Sequence, residues 1–119
     1  NLTILAANAV AAVDHTRLSQ VDCAMLAQYA QETGSDYCAG CGRLCSEALA
    51  KRVPINDVMR CLMYLHSYQD LGLARSSFET LPAETSALLT HLDFGEAERS
   101  CPRNLPIGSL MREAAILLA

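Results

Sequence analysis

The sequence predicts an all-α protein: a compact domain of about six helices, with the cysteine-bearing segments as ligand loops between them. Three observations carry this. No stretch alternates apolar and polar residues over enough length to argue for a strand. Apolar residues recur instead at helical spacing, as in Ile55, Val58, Met59, Leu62 and Leu65. The hydrophobic fraction of 51% is carried largely by Ala and Leu, both good helix formers, while Trp is absent and aromatics make up 5%. At 119 residues the chain can bury about 65% of its unfolded surface without staples.

Taken in order, Leu2 to Val13 and Val21 to Thr33 read as two amphipathic helices joined by the polar turn Asp14-His15-Thr16-Arg17. Ser19, with Asp22 three residues on, resembles a capping box with Asp in place of Glu, and Gly34 is a C-terminal stop. From Gly34 to Arg52 the periodicity breaks, and Gly34, Gly40 and Gly42 among the cysteines predict a tight loop. Pro54 then opens a helix through about Tyr68, and Leu73 to Leu81 forms another. Pro82 stands at the first turn of the next, which runs through Leu88 and Leu89 toward His91. Asp93 caps a short turn ending near Ser100, and Pro106 opens the last helix, Ile107 to Leu118.

Composition excludes several functions. A net charge of −4 gives no basic face for nucleic acid, and no Lys/Arg run suits an acidic membrane. The longest apolar stretches fall far short of a bilayer span. No secretory signal is legible, which predicts a cytoplasmic location and reduced thiols. The chain starts without Met in an apolar helical pattern, as expected of a piece of a longer protein.

Four of the six cysteines form one pattern: Cys38, Cys41 and Cys45, then Cys101 followed by Pro102. Closely spaced thiols with a distant Cys-Pro commonly hold an iron–sulfur cluster. Four thiolates also satisfy zinc, and the three-residue gap before Cys45 keeps zinc open beside a 4Fe–4S cluster; disulfides or free thiols are the remaining alternative. Arg43, Lys51, Arg52 and Arg103 lie in the ligand segments, where positive charge and the N-termini of the two Pro-Ile helices favour an anionic cluster. Taken one at a time, each of these cations reads as a solvated loop residue.

An internal echo joins the two segments. Val53-Pro54-Ile55-Asn56-Asp57-Val58-Met59-Arg60 matches Leu105-Pro106-Ile107-Gly108-Ser109-Leu110-Met111-Arg112 at an offset of 52, which puts Cys101 opposite Leu49. Coincidence between two proline-started helices is one reading; a duplicated unit retaining three plus one ligands is the other. Cys23 and Cys61 read as buried helical thiols. His15, His66 and His91 show neither carboxylate partners nor ligand spacing. Tyr37 stands beside Cys38 as a shield or a packing residue, and Tyr64 with Tyr68 forms a helix-face pair. No nucleophile elbow, phosphate loop or catalytic carboxylate pair is present.

The run Tyr37 to Cys45, with Val53-Pro54-Ile55, Val58-Met59-Arg60, Leu81-Pro82-Ala83-Glu84, Cys101-Pro102 and Leu105-Pro106-Ile107, resembles the C-terminal extension of bacterial aldo/keto reductase-like oxidoreductases. The resemblance implies a helical, ferredoxin-like domain over 35–119, preceded over 1–34 by a helical pair similar to the end of a reductase barrel. It implies that Cys38, Cys41, Cys45 and Cys101 bind a 4Fe–4S cluster, and that this chain carries no catalytic residue. NAD(P) and the carbonyl-reducing residues would belong to the upstream domain, which becomes the partner together with a redox partner. A non-catalytic docking domain, held by zinc on the four thiolates or by an inert cluster, is the alternative. A thiol sensor pairing Cys38 with Cys41 is a third.

Overall fold

A computed structural model describes residues 1–14, 17–33 and 37–119, with Thr33 described by its backbone alone. Every regular element among them is helical: α1 Leu2–Val13, α2 Gln20–Thr33, α3 Gly42–Ala48, α4 Ile55–His66, α5 Leu71–Glu79, α6 Thr85–His91, α7 Gly95–Arg99 and α8 Ile107–Leu117. The protein is therefore all-α, with eight helices in the described residues rather than about six. His15 and Thr16 of the first turn, and the stop expected at Gly34, lie outside the described residues.

The chain divides into two units, Asn1–Glu32 and Thr33–Ala119. In the first, no residue of α1 is buried, so its apolar side chains do not form the buried face of an amphipathic helix. Helix α2 opens on the expected box. Ser19 N–H donates to Asp22 Oδ2 at 2.9 Å, and Asp22 N–H donates to Ser19 Oγ at 3.2 Å. Hydrogen bonds from Ser19, that of its side chain first, hold the Asp22 carboxyl below its ordinary range.

The second unit holds the core. Ile55, Val58, Met59 and Leu62 line up on α4 at helical spacing, and all four are buried. Helix α4 packs on α5 and α8, and α8 also packs on α6 and α7. Asp70 caps α5 by accepting from Leu73 N–H at 2.8 Å. Helix α6 starts three residues after Pro82, because the chain first makes a turn closed by Thr85 N–H to the Pro82 carbonyl at 2.8 Å. Asp93 Oδ1 accepts from Gly95 N–H at 2.9 Å at the start of α7.

The echo in the sequence is an echo in the backbone. Pro54 has φ −78°, ψ 71° and Pro106 has φ −76°, ψ 71°; each sits at the centre of an inverse γ-turn. Ile55 N–H donates to Val53 O at 2.9 Å, and Ile107 N–H to Leu105 O at 2.8 Å. Further upstream, Leu49 N–H to Ser46 O matches Cys101 N–H to Glu98 O, and Arg52 N–H to Leu49 O matches Asn104 N–H to Cys101 O. Leu49 thus occupies in the first half the place of Cys101 in the second. The halves pack like on like, α3 against α7 and α4 against α8.

One turn is strained. Lys51 N–H donates to Ser46 O at 2.7 Å and Ala50 N–H to Glu47 O at 2.9 Å, a Schellman closure of α3 that puts Ala50 at φ 51° where glycine is usual. Ala50→Gly is expected to stabilise the protein by about 0.5–1 kcal/mol, the relief of the left-handed Cβ strain less the entropy of glycine. Thermal denaturation checks this, with a rise of roughly 2–6 °C.

Candidate metal centre

The glycine-punctuated segment is not all loop. Arg43 to Ala48, with Gly42, forms α3, whose N-cap is Cys41 and whose one buried residue is Cys45. Gly42 is needed at its start: a Cβ there would lie 2.6 Å from the Asn56 side chain of α4. Gly40, at φ 72°, turns the chain between Cys38 and Cys41 in the left-handed region that glycine favours. Because α3 packs on α7, and α7 ends directly before Ser100, Cys101 is delivered to α3 from 56 positions away.

The consequence is that Cys38, Cys41, Cys45 and Cys101 line one cavity. Ile55 and Ile107, the first residues of the two Pro-Ile helices, form its inner wall with Met59 and Leu105. Cys45 is buried, Cys38 and Cys101 are half-buried, and Cys41 is exposed, so the site has an apolar floor and one open edge. The Cys45 thiol donates weakly to the Gly42 carbonyl at 3.8 Å. Burial pushes this thiol's pKa up, and the adjacent Cys38 and Cys41 push it further the same way.

Arg103 is the cation on this cavity, and its buried Nε–H has no hydrogen-bond partner among the described residues. A buried donor without an acceptor is costly, and Arg103 lines the same cavity as four sulfurs that become acceptors once ionised. The donor set therefore fits an anionic thiolate-bound group. The space is small, about 10 Å³, room for a single water. Among the described residues no three Cys, His, Asp or Glu side chains form a group that could hold a metal ion. Zinc would need its thiolates within about 4 Å of one another. Seating either a single ion or a cluster thus requires the thiols to rearrange.

Several expectations change. Arg43, Lys51 and Arg52 do not border the thiols; they line a separate hollow. Cys61 is buried as expected, but Cys23 is exposed. His66 does have a carboxylate partner, Glu113 Oε1 at 2.8 Å from Nε2, a tertiary contact that one-dimensional spacing does not reveal. Tyr37 is about half exposed and lines, with Cys38, Met59 and Leu105, a groove of about 610 Å³ beside the thiol cavity. Tyr64 and Tyr68 pair with ring centroids 5.8 Å apart. The floor residues Met59 and Leu105 carry no signal as site residues in the sequence, since they read as core.

Comparison of the chain with known families, curated proteins and solved structures gives no match.

Proposed function

We propose that Cys38, Cys41, Cys45 and Cys101 hold a 4Fe–4S cluster and that the chain is an electron-transfer module of an aldo/keto reductase-like oxidoreductase. In this reading it works in the cytoplasm beside an upstream NAD(P)-dependent domain. The observation that carries the reading is the meeting of all four pattern cysteines on one cavity, while Cys23 and Cys61 stay off it. When bound, such a cluster supplies one-electron chemistry. The residues of this chain do the rest. Ile55, Met59, Leu105 and Ile107 keep water from the inner side, Cys41 leaves one edge exposed, and Arg103 supplies the cavity with a cation. In this reading the carbonyl-reducing residues belong to the upstream domain.

A second reading, structural zinc, rests on the 10 Å³ space, which is nearer to one ion than to a cluster. Elemental analysis of protein purified without air separates the two. Iron with acid-labile sulfide supports the cluster, and one zinc without sulfide supports the structural site.

Arg103 gives a finer check. Removing a cationic donor disfavours the more negative, reduced state, so Arg103→Gln is expected to shift the midpoint potential negative, with Arg103→Lys restoring part of the shift. A potentiometric titration followed by visible absorption reads both. Unchanged midpoints would mean that Nε–H faces no charge.

A further inference from the structure

Arg43, Lys51 and Arg52 line an open hollow of about 540 Å³, together with Ser46, Pro54 and Glu84. On α3 the hollow takes Gly42, Arg43 and Ser46, whereas the thiol cavity takes Cys41, Leu44 and Cys45. At 3.6 residues per turn these are opposite faces of the same helix, so Arg43 stands across α3 from Cys45, while Lys51 and Arg52 reach the hollow from the turn that closes the helix.

The three cations are held out to solvent. The Arg43 side chain is 89% exposed and meets Glu47 at 3.5 Å, an exposed pair of little energetic weight. Lys51 and Arg52 are exposed and enter none of the ion pairs among the described residues. Glu84 is the one carboxylate on the hollow's wall among the described residues. Lys51 has φ 58° and follows Ala50 at φ 51°, so the strained turn closing α3 carries the cation to the rim. A local excess of positive charge on a chain of net charge −4 runs against the background of the molecule.

We propose that this hollow is the docking surface for an acidic electron-carrier protein. The inference rests on the cluster reading above. Long, solvated cations around a shallow hollow speed encounter and orient the partner without forming a lasting complex, as electron-transfer pairs require. A small phosphorylated ligand would instead want its cations enclosed. With a cluster bound at the thiols, a single electron would pass to the carrier, the cluster oxidised by one as the carrier is reduced by one, with no proton or group transferred.

The test uses the whole chain after anaerobic reconstitution, the double variant Lys51→Glu/Arg52→Glu, an acidic [2Fe–2S] ferredoxin as probe and a basic c-type cytochrome as counter-probe. Stopped-flow electron transfer to the ferredoxin at low salt is expected to fall by about tenfold or more in the variant, and the two proteins should converge at high salt. Transfer to the cytochrome should rise in the variant. Iron content and midpoint should match the native protein. Equal rates with the ferredoxin, or equal loss with both probes, overturn the proposal. So does a loss of iron, which would return these cations to the thiol site, or tight binding of pyrophosphate in place of the carrier. If the native chain takes up no iron and sulfide, the cluster reading fails on its own. Docking is then read from calorimetric affinity for the ferredoxin, which needs no iron and must weaken in the variant.

Discussion

Cys45→Ala is expected to abolish uptake of iron and sulfide by the chain, and Cys101→Ser to do the same from the far end of the sequence. Cys45 is the one buried thiol of the four, on the helix that also caps at Cys41, so its loss removes the innermost thiol of the cavity. Cys101 arrives through the packing of α3 on α7, and no other thiol than the four lines the cavity. Cys23→Ser, in the other unit and exposed, should keep full iron content. Iron and acid-labile sulfide analysis reads all three. Far-ultraviolet circular dichroism guards against unfolding, since the floor of Ile55 and Ile107 stays in place in each variant. Full iron uptake by Cys101→Ser would remove the four-thiol site.

The largest stability effect is expected at Met111. It is 0% exposed, at the α8 position that the echo pairs with Met59 of α4. Met111→Ala leaves a cavity where two halves of the domain meet, at a cost of about 2–5 kcal/mol. At roughly 4–8 °C per kcal/mol the melting temperature should drop by about 10 °C or more. Ile116→Ala, on the same helix but 77% exposed, should stay within about 0.5 kcal/mol of the native protein. A similar effect at both positions would contradict the burial of α8.

Much of the helical frame is legible because it obeys local rules. Pro54 and Pro106 fix the starts of α4 and α8, and the spacing of Ile55, Val58, Met59 and Leu62 fixes the face that α4 buries. Helix α3 escapes the same reading for a physical reason. Glycine at its first position reads as a breaker, whereas here it is demanded by the close approach of Asn56. The start of α6 is displaced because the chain spends Pro82 on a turn before the helix begins. The candidate site divides in the same way. Its four thiols are legible from type and spacing, and their union on one cavity follows the duplicated turn in which Leu49 and Cys101 make matching hydrogen bonds. Its floor and the relocation of Arg43, Lys51 and Arg52 depend on which face of α3 meets the core, which loop residues do not declare. The pairing of His66 with Glu113 joins α4 to α8 and is invisible to any local pattern.

Cys38, Cys41, Cys45 and Cys101 line one cavity, and the proposal that they form one redox-active centre is open to direct measurement. Its most direct test is the electron paramagnetic resonance spectrum of the anaerobically reconstituted chain before and after dithionite. A chain carrying one 4Fe–4S cluster is silent when oxidised and shows a single half-integer spin signal when reduced, accompanied by bleaching of its brown colour. A colourless protein without a reducible signal, its iron analysis negative after reconstitution under strict exclusion of oxygen, would contradict the claim.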